Sequence, residues 1–211
     1  MPSEPATLQV TIEAKTAAAR QKIVTGARRH FLAEGFRNVT MDDLAEELGM
    51  SKKTLYAHFA SKTELVRAVM VQKLDEAEAE LETITSRTDA GFADSLHALL
   101  ACVQRAGDEI KPPFIRDVRR DTPELFSIVE ERRAAMIHKH FDRLLKAWRK
   151  AGMIRKDVPV RMIVEILVGA TRAIVNPQKV TELGITPKAA YSTVISVVLN
   201  GVFTDTGRAN L

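Results

Sequence analysis

Residues 39–59 read Val39-Thr40-Met41-Asp42-Asp43-Leu44-Ala45-Glu46-Glu47-Leu48-Gly49-Met50-Ser51-Lys52-Lys53-Thr54-Leu55-Tyr56-Ala57-His58-Phe59. Thr40 is a good N-cap, Asp43 follows three residues later, and Val39 and Leu44 sit where a hydrophobic staple needs them. These signals predict a short helix from about Met41 to Leu48, ended by Gly49. Ser51 caps a second one, from Lys52 to about Phe59. The apolar residues Leu44, Ala45, Leu48, Leu55 and Phe59 give the pair a common inner side, and Gly49-Met50-Ser51 is the turn between them. That is a helix-turn-helix pattern. The outer face of its second helix offers Lys52, Lys53, Thr54, Tyr56 and His58, groups suited to phosphates and base edges. Lys62 follows near the start of the next helix, where backbone N–H groups also favour a phosphate.

Spacing alone leaves a second reading open, because short capped helix pairs occur in many all-helical proteins and a lysine run is usually a solvated face. Charge placement favours the first. Asp42, Asp43, Glu46 and Glu47 all lie on the first helix of the pair. The second has no acid, and Arg20, Lys22, Arg28, Arg29 and Arg37 precede it.

Outward from this unit the whole chain reads as helical, so the fold class is all-α. A helix is expected from about Lys15 to Glu34, with the stripe Ile23, Ala27, Phe31 and Gly35 as its stop. Ser61 with Glu64 forms another capping box, opening a helix to about Thr83. Further helices are expected over about Gly91–Glu109, Phe114–Arg120, Pro123–Gly152, Pro159–Asn176 and Pro187–Phe203. Thr122-Pro123 and Thr186-Pro187 are cap-plus-proline openings, and Pro177 is read as a stop. The expected organisation is a flexible tail at 1–13, a helix-turn-helix domain at 14–62, a larger helical domain at 63–205, and a frayed tail at 206–211.

The chain has 211 residues, 45% of them hydrophobic and 27% charged, with a net charge of 31 − 27 = +4. This is a globular composition, and the charge permits a polyanion partner without demanding one. One Cys excludes an intrachain disulfide and a multi-cysteine zinc site. Cys102 reads as a small buried hydrophobe, and His138 and His140 point to different helix faces, so neither a metal nor a cofactor is expected. There is no signal-peptide pattern at the start and no uncharged run long enough for a membrane helix, which gives the cytoplasm as the expected address and no membrane partner. No phosphate-binding glycine loop, His-Glu-x-x-His or Gly-x-Ser-x-Gly occurs, so no enzyme is expected.

The stretch from Arg20 to Leu65 resembles the DNA-binding domain of TetR-family transcriptional regulators. The residues that carry the resemblance are Ile23-Val24, Ala27, Phe31, Glu34-Gly35-Phe36, Val39-Thr40, Leu44-Ala45, Leu48-Gly49-Met50-Ser51, Thr54-Leu55-Tyr56, His58-Phe59 and Ser61-Lys62-Thr63-Glu64-Leu65. Two positions depart from the family's usual pattern: Lys53, where a small residue or proline is common, and Ala57, where an aromatic is common. The operator preference of relatives therefore does not carry over. The resemblance implies that Thr40 caps its helix and donates to a phosphate, and that Lys52, Lys53 and Thr54 approach base edges or phosphates. It further implies that Tyr56 and His58 contact phosphates or thymine methyls, Lys62 a phosphate, and Arg20 the flanking backbone.

The larger part resembles the family's ligand-binding and dimerisation domain. Independently, Met162–Val175 and Tyr191–Val202 are apolar almost all round, as helices buried in a core or against another subunit are. A homodimer face is expected at Ile163, Leu167, Ala170, Ile174, Tyr191, Val194, Val198 and Val202. On the long helix Val129, Arg133, Ile137, Phe141 and Leu145 recur every four residues, which puts Arg133 inside an apolar stripe. A small-molecule site is expected at Phe92, Leu96, Leu100, Phe114, Phe126, Arg133, Ile137 and Phe141, aromatic and apolar walls with one polar intrusion. The resulting expectation is a homodimeric repressor of a pseudo-palindromic operator on double-stranded DNA, released by a small-molecule effector. A DNA-binding regulator controlled by a protein partner, or acting without a small ligand, is the alternative.

Overall fold

In a computed structural model, described over residues 4–87 and 91–210, the chain is a set of packed helices. They are α1 (Glu4–Glu34), α2 (Met41–Glu47), α3 (Lys52–His58), α4 (Lys62–Ser86), α5 (Phe92–Asp108), α6 (Pro112–Asp121), α7 (Pro123–Lys150), α8 (Val160–Ile174), α9 (Pro177–Glu182), α10 (Pro187–Val202) and α11 (Asp205–Ala209). Among the described residues the only β pairing is one antiparallel bridge, Ile154 with Phe203. None of these helices is long and apolar enough to cross a membrane.

Two apolar cores organise the molecule. The first gathers Ile23, Ala27 and Phe31 of α1, Leu44 of α2, Leu55 of α3, Phe59, and Leu65, Val66 and Val69 of α4. Phe114 and Val118 of α6 and Leu125 of α7 complete it. The second is built from α4, α5, α7, α8 and α10 around Leu99, Leu145, Ile163, Leu167 and Leu199. Helix α4 therefore belongs to both, its first turns in one core and Leu74, Leu81 and Ile84 in the other.

The close seating of α6 on the head depends on one glycine. Gly35 has φ +83° and terminates α1, and a Cβ there would stand 2.5 Å from Asp117 Oδ2. Asp117, buried on α6, accepts from the Arg37 backbone N–H at 3.2 Å. Lys111 N donates to Leu32 O at 2.9 Å on the same side.

Three boundaries differ from the sequence expectation. Residues 4–13, read as a loose tail, are the first turns of α1. The segment lacks an apolar stripe and holds one alanine, but it runs straight into Ala14 and Ala17-Ala18-Ala19, and extending an anchored helix avoids the cost of nucleation. Pro177, read as a stop, does follow the end of α8 at Ile174 but is also the first residue of α9, a helix that was not expected, whose cap is Asn176 Oδ1 accepting from Lys179 N at 3.0 Å. Near the end, where a frayed tail was expected, residues 205–209 form α11: Thr204 caps it, Gly207 N donates to the Thr204 Oγ1 at 3.0 Å, and Gly207 is buried so close to Met153 O that a Cβ would stand 2.4 Å from it.

Candidate nucleic-acid interface and ligand cavity

The helix-turn-helix is built by the caps the sequence announces. Asp43 N donates to Thr40 Oγ1 at 3.1 Å, and Thr40 N donates back to the Asp43 carboxylate at 3.2 Å. These bonds hold the Asp43 carboxyl below its ordinary range. Gly49, at φ +64°, closes the turn, and Met50 N reaches Ala45 O at 2.9 Å. Thr54 N then donates to Ser51 Oγ at 3.0 Å to start α3. Leu55 and Phe59 are fully buried and lock the helix by its inner face.

The outer face of α3 is what those anchors leave free. Lys52, Lys53, Thr54 and Ala57 are exposed, and Tyr56 is 47% exposed despite its large ring. Lys52 Nζ pairs with Asp42 at 2.6 Å across the turn, and the Thr54 hydroxyl lies 2.8 Å from Ser51 Oγ. Two of the expected contact residues, Arg20 and Lys62, also have structural partners, and a third, His58, is half-buried. Arg20 Nη1 donates to His58 O at 2.9 Å, and its guanidinium lies 4.1 Å from the centre of the Phe59 ring, tying α1 to the end of α3. Lys62, also half-buried, donates to Val39 O at 3.0 Å and stands 5.7 Å above the Phe36 ring.

A cavity of about 140 Å³ lies beside the second core, between α4, α5, α7, α8 and α10. Arg133, Ile137 and Phe141 line it, as the four-residue spacing predicts. Phe114 and Phe126 instead line an adjoining cavity of about 60 Å³ that shares Arg133, Val129 and Tyr191. Phe92, Leu96 and Leu100 reach neither. Phe92 makes edge-on contacts with Trp148 and Phe203, at ring-centre distances of 5.1 and 5.3 Å, and Leu96 and Leu100 pack in the same core.

Four lining residues bring polar chemistry into the larger cavity: Lys73, Arg133, Thr171 and Tyr191. The Tyr191 hydroxyl accepts from Arg133, which also pairs with Glu130, and burial pushes the Tyr191 phenol up and the Glu130 carboxyl up. Lys73 is 6% exposed, and burial pulls its ammonium down despite Glu109 at 3.2 Å. The same Glu109 oxygen takes Arg28 Nη2 of α1 at 2.7 Å, and Arg28 Nη1 reaches Glu76 of α4 at 2.6 Å.

The expected dimer residues are mostly inward. Ile163, Leu167, Val194 and Val202 are buried in the protomer's own core, with Leu167 and Tyr191 on the cavity wall. Ala170, Ile174 and Val198 are half-buried. The outward faces of α8 and α10 carry other apolar residues: Met162 at 55% exposure, Ile166 at 49% and Val197 at 66%, with exposed Gly169, Ala173 and Gly201 beside them. Of the residues expected at a dimer face, Ile163, Leu167, Val194 and Val202 therefore pack within the protomer instead. An apolar run with no polar face does not say which side is inside.

Residues 23–69 match the family described as bacterial regulatory proteins, tetR family. An uncharacterised HTH-type transcriptional regulator of Bacillus subtilis (strain 168) is 23% identical over 84% of this chain and 96% of its own length. A putative transcriptional regulator from Saccharomonospora viridis in complex with choline shares the fold, with a TM-score of 0.68 and 18% identity over 89% of this chain and 99% of that one. So does a complex of SmeT with triclosan, at TM-score 0.62 and 19% identity over 89% and 93% of the two chains. SmeT is described as the repressor of a Stenotrophomonas maltophilia multidrug efflux pump. With its capped helix-turn-helix at the matched positions, the chain carries over residues 23–69 the domain described for bacterial regulatory proteins of the tetR family, and it shares its fold along nearly the whole chain with solved transcriptional regulators.

Proposed function

We propose that the chain is a homodimeric repressor that binds a pseudo-palindromic operator and lets it go when a small molecule fills the cavity. The observation that carries the DNA half is the outer face of α3, where lysines and an exposed tyrosine stand on a helix pinned by Leu55 and Phe59. Lys53, Thr54 and Tyr56 meet base edges and phosphates, and Lys52 joins them by leaving Asp42. Arg20 and Lys62 hold the helix in place from behind. The reading unit is residues 14–62, and 63–205 dimerise and sense the ligand.

The dimer half rests on Met162, Ile166 and Val197, large apolar side chains left in solvent on two neighbouring helices. Gly169, Ala173 and Gly201 let a second copy approach. Two-fold symmetry then requires two half-sites separated by about 34–36 Å or a multiple of that.

Release follows from α4, which starts in the head core and lines the cavity with Met70, Lys73 and Leu74. A ligand shifts the two head positions only by as much as it prefers one of them. Arg28 gives that preference a route into α1, since it is held by Glu76 and Glu109 next to the cavity. Selection from random duplexes with the full chain tests the function: a two-fold symmetric consensus is expected, and no enrichment above background refutes DNA reading by α3.

A further inference from the structure

The charged residues lining the 140 Å³ cavity are Lys73 and Arg133, both cations, in walls that are otherwise almost wholly apolar. Among the described residues no carboxylate lines it. Glu109 opens onto the neighbouring polar cleft, and Glu130 onto the smaller cavity. The two cations are not equally compensated. Arg133 has Glu130 beside it and the Tyr191 hydroxyl as a second acceptor. Lys73 shares a single oxygen, Glu109 Oε2, with the Arg28 guanidinium, which is nearer at 2.7 Å against 3.2 Å.

Lys73 also lines the neighbouring polar cleft, so it stands on the wall between the two spaces, and the one carboxylate that it bonds is shared with Arg28; desolvated charge is costly until it is paired. An anion entering there gains a charge-assisted bond in a low-dielectric setting. A cation entering meets two like charges. The apolar walls require a hydrocarbon or aromatic body behind the headgroup.

We propose that this cavity takes an apolar molecule ending in one carboxylate, with Lys73 as the counter-ion of the headgroup. The assignment rests on the reading of the cavity as the effector site and specifies its ligand class. Capture of Lys73 by the ligand leaves Glu109 with Arg28 alone, so the headgroup is felt at the contact between α1 and α5.

The test uses the full chain and three sets of probes with matched bodies: straight-chain alkanoates, alkanols and alkylamines of about six to twelve carbons. Binding is measured by calorimetry and thermal shift on the wild type, Lys73→Met and Arg133→Met. The expected result is that an alkanoate binds at least about tenfold more tightly than the alkanol of equal length, and the alkylamine does not bind. Lys73→Met then loses about tenfold in alkanoate affinity and keeps its alkanol affinity, and the loss of alkanoate affinity in Arg133→Met is smaller than that in Lys73→Met. The wild-type headgroup comparison stands by itself if a variant folds poorly. Equal or tighter binding of alkanol or alkylamine overturns the ligand class, as does failure of every alkanoate to bind. A loss confined to Arg133→Met overturns the assignment to Lys73. Alkanoates that bind as expected but leave operator DNA bound support the ligand class and refute release by an effector. Release of the operator by neutral or cationic molecules alone does the reverse.

Discussion

Lys53 and Lys62 look equivalent as sequence, two lysines flanking the reading helix, yet they stand in different surroundings. Lys53 is exposed and, among the described residues, makes no ion pair or hydrogen bond. Lys62 donates to Val39 O and covers the Phe36 ring. Replacing Lys53 by Ala should therefore act on DNA alone. Each phosphate contact contributes about 0.9 to the slope of log affinity against log salt, so a two-fold dimer loses about 1.8. Between about 50 and 200 mM salt, a fourfold change, the variant's affinity should fall roughly tenfold less than the wild type's. Lys62→Met should act on the fold instead. Losing a charged hydrogen bond and a weak cation–π contact costs about 2 kcal/mol, which for a chain of this size lowers Tm by about 4–8 °C. Fluorescence anisotropy of operator DNA over a salt series, with calorimetric melting of each variant, separates the two. A slope loss of about 1.8 for Lys62→Met with an unmoved Tm would refute the assignment of Lys62 to the head's interior. An unchanged slope for Lys53→Ala would refute the reading face.

Ile166→Asp and Val197→Asp place charge on the exposed apolar face of α8 and α10, and sedimentation should show monomers that keep their helicity; persistent dimers would move the interface elsewhere. Gly35→Ala puts a Cβ at positive φ and against Asp117, costing about 2 kcal/mol or more, so its Tm should fall by about 4 °C or beyond, while an unchanged Tm would mean that α6 is not seated on that turn. His30 links α1 to α2, with Nε2 2.5 Å from Glu47 and Nδ1 3.1 Å from Glu34, and these bonds raise its pKa. A raised pKa contributes stability that is complete below the unfolded value of about 6.5 and is lost as pH climbs through the folded value. The Tm gap between wild type and His30→Gln should accordingly narrow from pH ~6 to ~8, and a constant gap would remove His30 from the pH dependence.

The helix-turn-helix was fully legible because each of its parts is local. Thr40 with Asp43, the Gly49 turn and Ser51 with Thr54 form bonds three to five residues apart, and spacing reports such bonds directly. The internal partners of Arg20 and Lys62 were not legible, for the opposite reason. Their acceptors, the carbonyls of His58 and Val39, lie 38 and 23 residues away, and no periodicity registers a backbone oxygen brought near by folding.

The cavity shows where spacing stops being informative even when the face is right. On α7 one stripe supplies Arg133, Ile137 and Phe141, and all three line the cavity because that helix crosses it along its middle. On α5 the inward face also holds Phe92, Leu96 and Leu99, but the cavity meets only its far end, at Cys102, Val103 and Ala106. Phe92 and Val103 are eleven residues apart, about 16 Å at 1.5 Å per residue, so one face passes from aromatic core to cavity wall without any change in its pattern. What selects the end is where α4 and α10 cross, a long-range fact. Lys73 and Tyr191 enter the site by that crossing, each from a helix whose own sequence gives it no such role. If the crossing sets the site, Phe92→Leu should lower Tm and leave alkanoate binding intact, whereas Ala106→Phe should abolish binding with little change in Tm. The reverse pattern would place the ligand at the aromatic end.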